Sequence, residues 1–329
     1  MSKTFDLLHL RHSGTGLVEG LFKKAHSHNW DPERDVDWSV PFEAEDPLMA
    51  SGWAPYSRTA TYKALPKRAR AHVTRRSFSF MLNSLRLGEL VAEEICFKVG
   101  LKSRLSDHKA HAAAQAMDEA RHAFVYTRIL DAMEETPEEI DPRTRATFDQ
   151  VLALETVPDM VAWEQFYLES LAMNVLRHAK AHARHPVLKQ VFTLNLRDES
   201  RHMGFGVTYV AEQLAQSDET DRMAFARRWL DQILTLSFGQ QDPTAITRVT
   251  RWLFEAGVDN SVALAGHMMQ EQGAVLQAEY AAAVDGSRVP QELKSARRAG
   301  LMAPDILEAL GLARHPLIVG ALRGREDAA

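Results

Sequence analysis

Cysteine and long apolar runs are nearly absent from this sequence. Cys96 is the one cysteine among 329 residues, so the chain cannot form an internal disulfide. No apolar run approaches the roughly 18 residues of a membrane-spanning helix, and the first residues do not form an apolar signal segment. These absences predict a soluble, cytoplasmic protein that does not insert into a membrane.

A strong net charge is also missing. The 39 Lys and Arg residues and the 44 Asp and Glu residues leave a formal net charge of −5, and the basic residues are scattered along the chain. This distribution argues against nucleic acid as a partner. The apolar fraction of 45% can form a sizeable core, which predicts one large domain.

Two copies of one five-residue pattern occur 80 residues apart, in stretches that are typical of helices. They are Asp118-Glu119-Ala120-Arg121-His122 and Asp198-Glu199-Ser200-Arg201-His202. On a helix, a Glu and a His three residues apart leave the same face about one turn from each other. Each copy therefore offers two metal ligands in one direction. The alternative, charge pairs on a solvent-exposed face, does not explain why both copies lie on apolar stripes.

Two divalent ions in a bundle core need about four carboxylates and two imidazoles, so two more glutamates are required. Glu89 lies 30 residues before Glu119 in an apolar stretch, and Gly88 beside it leaves room for a close helix approach. Glu164 and Glu169 are both candidates upstream of the second motif. This set of ligands is that of ferritin-like di-iron or di-manganese four-helix bundles.

The rest of the chain is expected to enclose such a site. We expect residues 1–65 to form an ordered arm that packs its tryptophan rings over the helices. We expect residues 66–215 to form the di-metal four-helix bundle with a duplicated helix pair. Its first helix should end at Gly100, and Pro158 and Pro186 should begin its third and fourth helices. Residues 216–329 predict additional flanking helices in the same domain. The predicted fold class is therefore all-α.

Carboxylate oxygens together with imidazole nitrogens favour iron or manganese over structural zinc or calcium. The site could hold two Fe ions, an Fe/Mn pair or two Mn ions, and six ligands leave coordination positions open for O2. A ligating His needs an acceptor for its other ring nitrogen. We expect Asp118 and Asp198 to serve this purpose, each for the His of the opposite motif. Arg121 and Arg201 would balance the two acids.

These residues resemble the ligand helices of the ferritin-like, ribonucleotide-reductase-like di-iron proteins. The resemblance covers about residues 70–215 and rests on Glu89 and the two motifs. The group includes the reductase small subunit, multicomponent monooxygenase hydroxylases, ligand-binding oxidases and single-chain arene N-oxygenases. In these relatives the third-helix Glu usually lies 34 or 35 residues before the last motif, which favours Glu164. The internal symmetry favours Glu169, and our prediction prefers Glu164.

Departures from the relatives separate the activities. Arene N-oxygenases carry an additional His one turn before the last Glu, where this chain has Asn195, and this counts against that activity. Monooxygenase hydroxylases carry a Thr where this chain has Leu168. The reductase small subunit carries a radical-forming Tyr at the position of Tyr126, although the C-terminal tail lacks the aromatic residues of that subunit. Against a radical role stands the interpretation of Tyr126 as a core aromatic residue whose hydroxyl is hydrogen-bonded near the metals.

The leading hypothesis is an O2-activating non-heme di-iron oxygenase or oxidase. Glu89, Glu119, His122, Glu164, Glu199 and His202 would bind the metals. The enzyme would act on a small organic substrate, take electrons from a separate reductase or ferredoxin, and form a homodimer. The alternatives are a radical-generating protein that uses Tyr126 and a non-catalytic iron-binding helical protein.

Overall fold

The structure, a computed structural model, describes residues 16–43, 48–236, 242 and 244–324. Within these ranges the regular secondary structure is helical, and the only β-type pairing is an isolated bridge between Met49 and Ala183. The predicted all-α class is confirmed. The first 15 residues of the predicted arm and the charged tail from Arg325 lie outside the described residues.

The helices are named here in chain order. They are α1 (Leu17–Ser27), α2 (Pro32–Asp35), α3 (Ala60–Ala64), α4 (Lys67–Lys102), α5 (Ser106–Ala132), α6 (Pro142–Leu152), α7 (Val157–Val161), α8 (Glu169–His182), α9 (Pro186–Gln216), α10 (Glu219–Leu236), α11 (Ala245–Glu255), α12 (Ser261–Asp285), α13 (Gln291–Arg298), α14 (Pro304–Ala309) and α15 (Pro316–Arg323). A 3₁₀ turn at Pro55–Arg58 precedes α3, and a π-helical segment at Ala162–Leu168 joins α7 to α8.

The first pair of bundle helices is α4 and α5, which pack along each other. Helix α4 begins after Pro66 and runs through Gly100 to Lys102, so the predicted stop at Gly100 is wrong. A glycine weakens a helix interior by only about 1 kcal/mol, which packing over a long helix outweighs. The turn to α5 is instead made where the backbone becomes extended at Ser103 and Leu105.

The second pair consists of the third bundle helix, formed by α7, the π segment and α8, and of α9. The side chain of Thr156 caps α7 by accepting a hydrogen bond from the backbone N–H of Asp159 (3.3 Å). Helix α9 begins at Pro186, as predicted from the sequence. The bundle thus has the ferritin-like arrangement of two helix pairs.

Two apolar clusters fill the two ends of the bundle, and the motif residues lie between them. One cluster contains Phe78 and Phe192 together with residues of the arm such as Trp53. The other contains Ile95 and Phe166 together with residues of α10 and α13 to α15. The polar residues at the middle of the bundle are therefore sealed from water at both ends.

The remaining helices surround this bundle. Helix α1 packs on α5 and α9, α6 packs on α4, and α13 packs on α8 and α9. Among the described residues, none of the helices combines the length and apolar character that crossing a bilayer requires. The division into an arm (1–65), a bundle (66–215) and C-terminal helices (216–329) stays a prediction.

Candidate metal centre

Six buried side chains from four helices converge at the middle of the bundle. They form two overlapping groups whose potential ligand atoms all lie within 4.8 Å of one another. The first group is Glu89, Glu119, His122 and Glu199, and the second is Glu119, Glu169, Glu199 and His202. Glu119 and Glu199 belong to both groups, so each would be shared by two bound ions.

Both imidazoles turn the same ring nitrogen into the cluster. His122 Nδ1 lies 3.0 Å from Glu199 Oε1, and His202 Nδ1 lies 2.9 Å from Glu199 Oε2. His202 Nδ1 is also 3.1 Å from Glu119 Oε1. The ring centroids of the two histidines are 6.1 Å apart. Each histidine therefore turns one nitrogen toward three carboxylates, and two of these, Glu119 and Glu199, are common to both histidines.

The outer nitrogens of the two rings contact aspartates in a crosswise arrangement. His122 Nε2 lies 3.2 Å from Asp198 Oδ2, and His202 Nε2 lies 3.2 Å from Asp118 Oδ2. Each motif thus supplies the acceptor for the histidine of the other motif, which is the pairing expected from the sequence. An N–H donated outward at Nε2 leaves the Nδ1 lone pair free for a metal ion.

Two arginines neutralise these aspartates. Arg201 Nη2 lies 2.9 Å from Asp118 and 2.8 Å from Asp198. Arg121 contacts both aspartates as well, at 3.0 Å from Asp198. Because two guanidinium groups balance two carboxylates, the negative charge of the four glutamates remains. Two divalent cations carry the charge that would compensate it.

Trp30 from the N-terminal arm adds a contact that sequence reasoning did not locate. Its Nε1 donates a hydrogen bond to Asp198 Oδ2 (2.6 Å), and its ring stacks on that of His122 at a centroid distance of 6.4 Å. The Arg121 guanidinium lies 4.9 Å from the centre of the Trp30 ring. The arm thus covers one side of the cluster, although only the general packing of its tryptophans over the helices was expected.

The buried charges of the cluster shift the pKa values of its own side chains. Burial, together with the negative charge of Glu199, raises the pKa of Glu89 to about 8. Burial also opposes ionisation of Glu119, but the imidazole of His202 lowers the pKa of this carboxyl to about 2. Burial disfavours a charged His122, yet the carboxylate of Glu199 raises its pKa well above the usual range. The carboxylates of the cluster therefore favour a positive charge at the positions of the two imidazoles.

Several buried atoms of the cluster make no hydrogen bond to any described residue. They are Oε2 of Glu119, Nδ1 of His122 and Oε1 of Glu199; the two oxygens lie 3.4 and 3.0 Å from the nitrogen, without the alignment of a hydrogen bond. An unsatisfied buried polar atom costs about 1–3 kcal/mol, so a group of three needs an explanation. All three belong to residues of the first group, and a cation bound there would satisfy them together. The residues present therefore fit a pair of divalent metal ions.

The third bundle helix contributes Glu169 to the cluster, where the sequence prediction preferred Glu164. Glu169 Oε1 lies 3.3 Å from His202 Nδ1, whereas Glu164 belongs to neither ligand group. In an α-helix, residues five apart point about 140° away from each other. Here the backbone N–H of Glu169 donates to the C=O of Glu164, a π-type bond that brings both residues to the same side. The 80-residue repeat, which relates Glu89 to Glu169, was the signal that identified the residue in the cluster.

Gly206 on α9 allows the π segment to approach closely. A Cβ atom at this position would lie 2.3 Å from the backbone carbon and oxygen of Gln165, so no side chain fits. Gly206 is the repeat counterpart of Tyr126, four residues after the histidine in each motif. In contrast, a Cβ at Gly88 would make only an ordinary contact of 3.7 Å with Phe148. The close helix approach predicted at Gly88 is therefore found at Gly206.

Polar residues one turn before each shared glutamate hold neighbouring groups. Gln115 Nε2 donates to Glu119 Oε1 (2.8 Å) and to Glu169 Oε1 (2.9 Å). Asn195 Nδ2 donates instead to the hydroxyl oxygen of Tyr126 (2.8 Å). Tyr126 is fully buried, and burial raises the pKa of its hydroxyl well above the usual value. Its hydroxyl is hydrogen-bonded close to the cluster.

A cavity of about 380 Å³ opens on one side of the cluster, between α4 and α8 with α6 at its edge. Glu89, Glu164 and Glu169 line its inner end. Such a volume is in the range of small-molecule sites and exceeds the roughly 150 Å³ known to hold benzene. A molecule with one aromatic ring can therefore reach the cluster from this side.

The chain matches a family model. Residues 14–252 match the model described as P-aminobenzoate N-oxygenase AurF, whereas no curated protein matches the chain. The match covers both motifs, Glu89 and Trp30. Asn195 had counted against an arene N-oxygenase, whereas the matched model is that of an N-oxygenase family. The non-catalytic alternative is likewise wrong. The chain belongs to the P-aminobenzoate N-oxygenase AurF family, and is thus a non-heme di-iron oxidoreductase with a ferritin-like fold.

Proposed function

We propose that this protein is a di-iron N-oxygenase that uses O2 to oxidise the amino nitrogen of an arylamine. The observation that carries the proposal is a buried cluster of four glutamates and two histidines at the end of a cavity large enough for one aromatic ring. The family match supports N-oxygenation of an aromatic amine as the class of reaction.

The proposed ligands follow the two groups of converging side chains. Glu89 and His122 would bind one ion, Glu169 and His202 the other, and Glu119 and Glu199 would be shared. When bound, two ferrous ions supply the electrons that reduce dioxygen. Iron is preferred over manganese because of the family match, since the oxygen and nitrogen ligands suit both metals.

The other residues of the site hold these ligands and protect them from water. Asp118 and Asp198 keep the Nε2 protons of the histidines on the outer side, and Arg121 and Arg201 balance the aspartates. The apolar clusters at both ends of the bundle exclude water, which strengthens electrostatic interactions in the site. Trp30 covers the side on which Arg121 contacts Asp198, by stacking on His122 and donating to Asp198.

The reaction requires an electron donor. An amine, O2, two electrons and two protons give a hydroxylamine and water, and the amine does not supply these two electrons. A separate reductase or ferredoxin is therefore part of the proposal. The predicted homodimer and cytoplasmic location remain predictions.

The test is an oxygen-consumption assay with the iron-loaded protein, a chemical or protein reductant, and a panel of arylamines. We expect arylamine-dependent oxygen uptake and N-oxygenated products, detected by mass spectrometry. Glu119→Ala should abolish both and bind no iron pair, while the exposed control Glu94→Ala should behave as the unmodified protein. Full activity and two irons per chain in Glu119→Ala would refute the assignment.

Tyr126 carries the second candidate, a radical-generating function, because its buried hydroxyl lies close to the cluster. This candidate predicts a tyrosyl radical signal in electron paramagnetic resonance after air is admitted to the ferrous protein. The signal should be lost in Tyr126→Phe. Arylamine oxygenation that persists in Tyr126→Phe, without any radical signal, would leave the oxygenase as the single function.

A further inference from the structure

The walls of the cavity beside the cluster are mostly apolar, and the two hydroxyl groups that line it, those of Ser84 and Thr144, already donate to Phe80 C=O and Asp141. Phe80, Met81 and Leu85 of α4 face Leu171 and Val175 of α8 across it, and Phe148 of α6 lies at its edge. Aromatic and aliphatic side chains of this kind bind an apolar ring by excluding water from both surfaces. The body of the ligand must therefore be largely apolar.

The charged side chains that line the cavity are all acids. Within the described ranges of the chain they are Glu89, Glu164 and Glu169 at the inner end and Asp141 at the edge, with no lysine or arginine among the lining residues. Glu89 and Glu169 would be neutralised by metal ions. Asp141 is engaged in capping α6, where it accepts hydrogen bonds from the backbone N–H groups of Arg143 and Thr144. A carboxylate on a ligand bound against these walls would find no cationic side chain among the lining residues to pair with.

Glu164 has an oxygen available for a ligand. The residue is 3% exposed, lines the cavity, and stands outside both groups of metal-ligating atoms. Its Oε2 is buried and makes no hydrogen bond to any residue of the described ranges. The π segment turns this carboxyl to the same side as Glu169, next to the proposed metal pair. A carboxyl oxygen accepts an N–H whether the group is ionised or protonated.

We propose that this cavity selects an amine with an uncharged apolar body, that Glu164 accepts the amine N–H beside the metals, and that a carboxylate on the substrate is disfavoured. This inference rests on the proposed function, because it names the substrate class of the same site. Glu164 is then a substrate-positioning residue, not a metal ligand.

The charge selectivity is tested with matched ligands. Binding of p-aminobenzamide and p-aminobenzoate is measured by calorimetry on the protein loaded with two ferrous ions in the absence of oxygen. The two ligands are close in shape and differ in charge. We expect the amide to bind at least about tenfold more tightly, because burying an unpaired carboxylate is costly. Equal or tighter binding of p-aminobenzoate would overturn the selectivity.

A new cation at the mouth should reverse this preference. Val175 lines the cavity and is 38% exposed, so a long side chain can be placed there without repacking the core. Val175→Arg should improve the affinity for p-aminobenzoate relative to p-aminobenzamide, whereas the uncharged control Val175→Gln should not. An unchanged ratio in Val175→Arg would contradict an electrostatic origin of the selectivity.

The role of Glu164 is tested with an amine and its methyl analogue. We expect p-toluidine to bind more tightly than p-xylene, and this preference to fall by about tenfold in Glu164→Leu, as one lost hydrogen bond to a carboxyl predicts. Glu164→Gln, which retains an acceptor oxygen, should keep most of the preference. Both variants should retain two irons per chain. A lost iron, or an equal weakening of both ligands, would overturn the positioning role.

The two levels of the proposal fail in different ways. If arylamines are oxygenated but p-aminobenzoate is preferred, the substrate class is wrong and the N-oxygenase function stands. If no arylamine binds or is oxygenated by the iron-loaded protein, the proposed function itself fails.

Discussion

The two halves of the bundle place the same ligands in different surroundings. In the half formed by α4 and α5, Glu89 lies on a regular α-helix and Tyr126 follows the histidine by one turn. In the half formed by the third helix and α9, a π segment precedes Glu169 and Gly206 replaces the tyrosine. The repeat thus predicts where the ligands lie, whereas the π segment and the exchange of Tyr126 for Gly206 make the two sides of the site different.

The differences are linked to each other. The π segment approaches α9 so closely that only glycine fits at position 206, and it turns Glu164 toward the cavity. A fifth carboxyl therefore lies beside the four of the cluster, in one half of the bundle. π-Helical segments often occur at functional sites, where the extra residue per turn re-aims a side chain. We therefore expect the substrate to contact the half formed by the third bundle helix and α9.

The largest effect is expected on iron binding, when single glutamates of the cluster are removed. Glu89 and Glu169 each belong to one ligand group, whereas Glu119 belongs to both. Glu89→Ala and Glu169→Ala should therefore each leave about one tightly bound iron per chain, and Glu119→Ala should leave none, because the shared carboxylate supports both ions. Metal analysis after dialysis measures the number of iron ions bound per chain.

The exposed histidine variant His26→Ala serves as a control for this series and should bind two irons. If Glu169→Ala retained both irons while Glu164→Gln lost one, the third-helix ligand would be Glu164 and the comparison of the halves would have to be redrawn.

The next effect concerns the glycines of the two halves. Gly206→Ala should destabilise the protein by about 3 kcal/mol or more, because the added methyl would collide with the backbone of the π segment, which cannot move like a side chain. Gly88→Ala should change the stability by no more than about 1 kcal/mol, because its methyl makes an ordinary contact and alanine favours a helix.

Urea unfolding followed by circular dichroism measures both glycine variants against the unmodified protein. A Gly206→Ala protein as stable as Gly88→Ala would mean that the π segment relaxes readily, and that its geometry does not depend on the glycine.

Most of the site could be predicted because its signal is local. Glu119, His122, Glu199 and His202 stand out because two residues at helical spacing need no long-range information to share a face. Glu89 followed from the length of a helical hairpin. The crosswise contacts of Asp118 and Asp198 followed from the requirement that a ligating histidine be held at its outer nitrogen.

The remainder depended on departures from regular helices and on long-range contacts. Choosing between Glu164 and Glu169 required knowing where the helix adds a residue to one turn, and the usual periodicity contains no such information. Trp30 reaches Asp198 across 168 positions of the chain, and the arm that carries it has no periodic pattern. The family spacing misled the choice of Glu164, whereas the internal repeat indicated Glu169.

A smaller difference between the halves lies in the aspartates. Asp198 accepts a hydrogen bond from Trp30 that Asp118, within the described residues, does not receive. Asp118→Asn should weaken iron binding by about 10–100-fold, as for other partners of metal-bound histidines, and Asp198→Asn by the larger part of that range. Competition with a chelator measures both affinities, and the exposed Asp231→Asn is the control. Stronger weakening by Asp118→Asn would show that the tryptophan contact does not distinguish the two sites.

The smallest effect is expected at Tyr126, the counterpart of Gly206. Tyr126→Phe removes one hydroxyl and leaves Asn195 Nδ2 without its acceptor, in a position where water does not enter. The cost should be about 1 kcal/mol, the lower end for an unsatisfied buried donor. The double variant Tyr126→Phe, Asn195→Leu removes the orphaned donor and should recover part of this loss. If Tyr126→Phe is instead fully stable, Asn195 must donate to another acceptor. A glutamate of the cluster would be such an acceptor, and the iron affinity of the same variant would then change.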